Sequence, residues 1–454
     1  MKKSITISIL AVLILTILLF TACKSNDGAA GDGDDVSNAQ NPNGAATDIV
    51  FWGFGNDAYF QNYYTAFAAD MPEYNLQHDV GLAPFSDFLS AYLSNNPPDI
   101  YIAENQDKKQ MIYTDMIRPL EDYYTKDTAF DISKLNPAVI RQGSGDDGKF
   151  YFWCDLDGSV LYYNKGHFSA AGLDESKPPK TWSELISYAK ACTVTDSMGS
   201  LKQLGFWDGA DTENYFAGAM GVSWFDDTGE KLTINDETTQ KVFEFCSTIP
   251  NKVYGGRDKI PASVTFGSEF DNLSMHISDI NVRIHQLSLT GKPWGMGYIP
   301  VNDGYTGAQQ MPAYSKLGYC LPQRSKNPMG GWMFTRWYFT NGLVVGEKIK
   351  YDQNPSKFSP YINTYAPTKE MVDKTFTKDL TNEDVKTMLS LRDEMIESKA
   401  FKLNEPISSV TFDEVYKVYV GKIYSGEMTV KDALSSLQKE AQTKIDDWLK
   451  EQAK

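Results

Sequence analysis

The stretch DIVFWGFGNDAYFQNYYTAFAADMP, residues 48–72, sets the fold. It begins with a β-branched and aromatic run, Asp48 to Trp52. Phe60, Tyr63, Tyr64, Phe67, Ala68 and Met71 then recur at helical spacing until Pro72 stops them. The change of period predicts strand, loop and helix. Working outward, Asn75 to Val80 has strand composition, and Phe85, Phe88, Leu89, Tyr92 and Leu93 mark a second helix. Asn95-Asn96-Pro97-Pro98 then leads into a strand from Asp99 to Ala103. This βαβαβ order predicts an α/β protein with parallel strands.

Within the opening stretch Gly53, Gly55 and Ala58 fit G-x-G-x-x-A, and Asp79 follows at about the 20-residue spacing of a dinucleotide fingerprint. The N-terminus argues against that ligand. Lys2 and Lys3 precede an apolar run from Ser4 to Phe20, which is short of the ~20 residues a spanning helix needs. An export signal over residues 1–22 is expected, and an exported protein has no steady supply of nicotinamide dinucleotide. The glycines are therefore read as turn residues that carry Trp52, Phe54, Asn56 and Asp57 to a ligand site beyond the strand. No cofactor is expected.

Phe20-Thr21-Ala22-Cys23 resembles a bacterial lipobox, so Cys23 is expected to carry lipid. Residues 23–48 lack aromatics and are rich in Asp, Gly, Asn, Ser and Ala, a composition that cannot bury enough surface to fold. They form a flexible tether to the outer face of the cytoplasmic membrane. The body beyond is long enough for two domains. A net charge of −16 disfavours nucleic acid and anionic lipid as partners, and the 26 Tyr, 24 Phe and 9 Trp are an unusual aromatic surplus that needs a use.

Thr181 with Glu184, and Thr429 with Asp432, fit capping boxes, and helical spacing dominates from Asn382 to Leu449. Cys154, Cys192, Cys246 and Cys320 have neither metal nor disulfide-scaffold spacing and read as buried thiols, although one disulfide stays open for an exported chain. Nucleophile-elbow, zincin and P-loop motifs are missing from the sequence. No catalytic or metal residue is proposed. Acid pairs such as Asp155 and Asp157 leave a glycoside hydrolase only as the weaker reading.

Three segments in order, Gly148-Lys149-Phe150-Tyr151-Phe152-Trp153, then Leu161-Tyr162-Tyr163-Asn164-Lys165, then Pro179-Lys180-Thr181-Trp182-Ser183-Glu184-Leu185, resemble the central signature of the maltose-binding-like extracellular solute-binding proteins of ABC importers, family 1. The similarity continues through Asn272-Leu273-Ser274-Met275, the run Trp294 to Pro300, and Ser425 to Leu434. It implies a two-lobed periplasmic-binding-protein-like fold of class II, α/β with a helix-rich C-terminal part. The first lobe is expected at 49–153 plus 281–342 and the second at 154–280 plus 343–454. The lobes would close about a hinge around a ligand.

The expected role is a monomeric lipoprotein that captures a mono- or oligosaccharide and passes it to the membrane subunits of a permease. A polyamine, a peptide or another polar solute is the rival ligand. A sugar needs flat rings for its C–H faces and fixed carboxylates or amides for its hydroxyls. Strand ends supply Trp52, Phe54, Asn56, Asp57, Glu104, Asn105 and Gln106. The resemblance adds Trp153, Asp155 and Asp157 at the first crossover between lobes, and Ser278, Asp279 and Asn281 at the second. In the second lobe it points to Trp207, Asp208, Asn214 and Trp224. Tyr162 and Tyr163 are expected to pack a strand.

Overall fold

The computed structural model describes residues 47–53, 58–154, 156–207, 212–260, 272–280, 284, 292–314, 317–353, 368, 382–398 and 400–452. Two five-stranded sheets organise them. The chain enters the first sheet through β1 (Thr47–Trp52), crosses by helix α1 (Ala58–Asp70) to β2 (Tyr74–Val80), and by α2 (Phe85–Leu93) to β3 (Ile100–Glu104). β1 pairs in parallel with both β2 and β3, as the βαβαβ reading predicts. Helix α3 (Asn105–Tyr113) follows β3 directly, and β4 (Trp153–Cys154) ends this part of the lobe.

The second sheet is built on β5 (Asp157–Asn164), an eight-residue strand buried along its whole length. Helix α4 (Trp182–Cys192) starts with a complete Thr181–Glu184 capping box. A small hairpin of β6 (Val194–Thr195) and β7 (Leu201–Gln203), then α5 (Thr212–Ala219) and α6 (Glu237–Tyr254), precede β8 (Met275–Asp279), β9 (Trp294–Gly297) and β10 (Met311–Tyr314). β8, β9 and β10 each pair antiparallel with β5. The chain returns to the first sheet at β11 (Leu317–Cys320), continues through α7 (Pro328–Trp337) and α8 (Leu343–Gln353), and re-enters the second lobe with α9 (Glu383–Ser398), β12 (Ala400–Lys402), α10 (Ser409–Tyr424) and α11 (Val430–Gln452).

Strand pairing moves the expected lobe boundaries. Residues 281–342 were assigned above to the first lobe, but β9 and β10 belong to the second sheet and only β11 onward to the first. The crossing lies between Tyr314 and Leu317, not at Asn281. Likewise α8, placed with the second lobe from its sequence position, packs Val344, Val345 and Ile349 on the first-lobe core. The two central crossings run side by side: Gly318 faces Cys154 in one sheet and Tyr314 faces Asp157 in the other. The described strands on either side of the two crossings thus pair with each other in both sheets, the kind of narrow connection about which lobes rotate.

The aromatic surplus goes largely into the cores rather than the cleft. Trp153, Trp332, Phe334, Trp337, Tyr338 and Phe339 pack with Phe51 and Phe67 beneath the first sheet. Trp182 stacks on Phe245 at 4.4 Å in the second. All four described cysteines are buried.

Candidate ligand cleft

β3 ends on exposed Glu104, and the first turn of α3 carries Gln106 toward the other lobe. There it meets one wall of a cavity of about 270 Å³ whose remaining described lining comes from the second lobe. Helix α5 contributes Asn214 and Tyr215, the following turn Trp224 and Phe225, and the end of β10 Tyr314. The segment after β12 brings Leu403, Asn404, Glu405 and Pro406, and α10 brings Phe412, Asp413 and Tyr416. The rings support one another: Trp224 lies 5.4 Å from Tyr416, Phe225 5.0 Å from Phe412, and Tyr215 stacks on Tyr314 at 6.1 Å. Positions four apart on α10 put Phe412 and Tyr416 on one face. No Lys, Arg or His occurs among the described residues of this wall.

Hydrogen bonds fix the orientation of the amides. Gln106 Nε2 donates to a Glu104 carboxylate oxygen at 2.5 Å. Asn404 Nδ2 donates to the carbonyl of Phe225 at 3.1 Å and to Asp227 Oδ1 at 3.0 Å. Asn214 Oδ1 and Trp224 Nε1 are buried with no partner among the described residues. Burial pushes the Tyr314 hydroxyl well above the ordinary phenol range, reinforced by the charges of Asp157, Tyr215 and Asp279. Next to Gln106, burial and then the charge of Glu104 push Asp107 up to about 6.

A second cavity of about 410 Å³ adjoins the first and shares Leu403 and Glu405 with it. It too lies between the lobes, with Lys108, Lys109, Tyr113, Asp146 and Asp147 on one side and Thr228, Glu230 and Lys402 on the other. Lys109 Nζ donates across the cleft to the carbonyl of Asp227, and Tyr113 packs on Trp448 at 5.6 Å. Burial lowers the Lys109 pKa, with Asp146, Lys402, Asp226 and Asp227 as the surrounding charges.

Of the residues expected from sequence, the fold brings Gln106, Asn214 and Trp224 together, with Glu104 holding Gln106. Others serve the scaffold. Trp153 is fully buried: Phe339 lies parallel to its ring at 5.2 Å, with Phe130, Phe150 and Trp332 around it, so no face is left for a sugar. Asp157 is 3% exposed and accepts the backbone N–H of Ile280 at 3.0 Å and of Gly158 at 2.9 Å, which ties β8 to the crossover. Ser278 and Asp279 stand in β8 opposite Val160 and Ser159, outside both cavities. The same holds for Trp207, whose N–H bonds the Met275 carbonyl at 2.9 Å, and for half-buried Trp52, which packs beside the Phe88 and Tyr101 cluster. Phe54, Asn56, Asp57, Asp155, Asp208 and Asn281 lie outside the described residues, as do the Asn105 side chain and Cys23.

Tyr215, Phe225, Tyr314, Asn404, Glu405, Phe412, Asp413 and Tyr416 escaped the sequence reading. An i, i+4 aromatic pair such as Phe412 and Tyr416 looks like core in any amphipathic helix. The one local signal was Leu403-Asn404-Glu405-Pro406, a polar break between two regular segments.

Two α/β lobes with a cavity at their junction define a cleft-type ligand-binding protein. A model of the family described as bacterial extracellular solute-binding protein matches residues 87–342, more than half the chain. The chain belongs to that family. It is 22% identical over 339 residues to the sn-glycerol-3-phosphate-binding periplasmic protein UgpB of Rhizobium meliloti, a match that covers 66% of this chain and 78% of UgpB. The fold is that of CpMnBP1 solved with mannotriose, at TM-score 0.68 and 21% identity over 87% of this chain and all of that one. The sugar-binding protein MalE of Xanthomonas citri is similar at TM-score 0.66 and 15% identity, over 89% of this chain and 99% of that one. Among the described residues no helix is long and apolar enough to cross a membrane.

Proposed function

We propose that this protein captures a mono- or oligosaccharide between its lobes and delivers it to the membrane subunits of an ABC importer, without chemical conversion of the ligand. The observation that carries the reading is the cavity at Gln106, Trp224 and Tyr416, which joins aromatic surfaces to amides and carboxylates. Rings suit the C–H faces of a sugar, and fixed acceptors suit its hydroxyls. The wall also separates this ligand from the phosphate ester named for UgpB. A phosphate dianion needs cationic or N–H donors, and no Lys, Arg or His stands among the described residues of this wall. Lys108, Lys109 and Lys402 border the adjoining cavity, but Asp115, Asp146, Asp147 and Glu230 stand with them and offset their charge.

The lipobox at Cys23 would hold the protein at the outer face of the cytoplasmic membrane as a monomer, with a tether that ends before residue 47 and not at the expected 48, because Thr47 and Asp48 pair with β2 in β1. A thermal-shift screen of residues 49–454 against a sugar panel and sn-glycerol-3-phosphate tests the ligand. A sugar present at 100 times its Kd should add about 2.7 kcal/mol of stability. A shift with the phosphate ester and none with any sugar would reject the carbohydrate. Metabolic labelling with a fatty acid, lost in Cys23→Ser, tests the anchor.

A further inference from the structure

The two cavities meet along one stretch of chain on each lobe. On the first lobe Gln106 borders the first cavity and Lys109 the second, and three positions apart on α3 they share a helix face. On the second lobe the residues after β12 pass from one space to the other: Lys402 borders the second, Asn404 the first, and Leu403 and Glu405 border both. Asp227 ties these stretches together. Its carbonyl accepts from Lys109 Nζ at the second cavity, and its carboxylate accepts from Asn404 Nδ2 at 3.0 Å at the first.

At about 270 Å³ the first cavity alone falls below the roughly 300–1,000 Å³ of ordinary ligand pockets, whereas joined to the adjoining 410 Å³ it falls within that range. The second lining also suits a sugar. Lys109 and Lys402 offer donors, Asp146 and Glu230 offer acceptors, and Tyr151 adds a ring held in place by its hydroxyl, which donates to Asp147 Oδ2 at 2.9 Å. A sugar hydroxyl both donates and accepts, so a neutral sugar meets groups of both signs without a net charge of its own.

Resting on the carbohydrate reading above, we infer that the second cavity is a second sugar subsite and that the ligand is an oligosaccharide of at least two units, lying past Leu403 and Glu405, with Lys402 and Asp146 setting the preference for chain length. A monosaccharide fills the first cavity only.

Calorimetry with three series of mono-, di- and trisaccharide tests this: glucose, maltose and maltotriose; glucose, cellobiose and cellotriose; and mannose with β-1,4-linked mannobiose and mannotriose. In the series that binds, the disaccharide should bind about tenfold or more tighter than its monosaccharide. Lys402→Ala should cut the ratio of disaccharide to monosaccharide affinity about threefold or more, because it removes a donor from the second unit. Asp146→Ala, at an exposed turn position, provides a second variant should the first fold poorly. A monosaccharide that binds as tightly as its di- and trisaccharide, or a ratio that neither variant changes, would overturn the second subsite and leave the carbohydrate reading standing. Binding of none of these sugars would overturn both.

Discussion

Trp224 and Trp153 put the same side chain to opposite uses. Trp153 has both ring faces covered in the first-lobe core, so Trp153→Ala should leave a cavity and cost about 3–5 kcal/mol of stability, read as a fall in Tm. Any ligand that still binds the folded fraction should do so with nearly unchanged Kd. Trp224 stacks on Phe243 at 5.9 Å but also borders the ligand cavity, and its N–H lacks a partner among the described residues. Trp224→Phe keeps a ring and removes that donor. Affinity for the best sugar should fall about five- to tenfold, with a change in Tm much smaller than that of Trp153→Ala. From sequence the two indoles were indistinguishable, because burial of one and partial access of the other depend on residues more than a hundred positions away.

At the scale of the element, the loop after Trp224 and the first turn of α3 govern the cleft. Gly229 holds φ of +74°, and a Cβ there would lie 2.4 Å from the Glu405 carbonyl oxygen and 2.8 Å from the Ile407 nitrogen. Gly229→Ala should therefore cost about 1–3 kcal/mol and, by displacing the segment that carries Asn404 and Glu405, weaken ligand binding in titration. In α3, burial and then Glu104 raise Asp107 from its ordinary 3.8 to about 6. An acid with a raised folded pKa binds more protons folded than unfolded, so stability falls as pH rises between about 4 and 6. Because Asp107 retains solvent contact, screening reduces the effect to about 1 kcal/mol. Asp107→Asn should flatten that part of the stability curve and raise stability at pH 7, as urea titrations at a series of pH values will show.

For the whole molecule, contacts between the lobes set how readily the cleft closes. Lys109 bonds the Asp227 carbonyl, and Tyr113 meets Trp448, from opposite sides of the junction. Lys109→Ala removes a direct tie and should populate open forms, seen as a larger radius of gyration by small-angle X-ray scattering without ligand. Apparent affinity should fall in proportion to the lost closed fraction, about two- to tenfold, while saturating sugar restores the compact form. A radius unchanged by both the mutation and the ligand would rule out closure about the crossings between β4 and β5 and between β10 and β11.

The sequence by itself determined the elements near the N-terminus, the capping box at Thr181 and the family. Each rests on local periods or on short runs of fixed order. Three of the expected cleft residues, Gln106, Asn214 and Trp224, were legible because they sit at strand ends or in the segment the family resemblance singled out. Tertiary structure alone decided the lobe boundaries and the rest of the cleft. Whether Trp294 joins one sheet or the other is a matter of its partner strand, and whether a carboxylate meets ligand or, like Asp157, caps a backbone N–H depends on which distant amide reaches it first. Long-range pairing, which leaves no mark in local spacing, chose among aromatic and acidic residues that the sequence presents as equals.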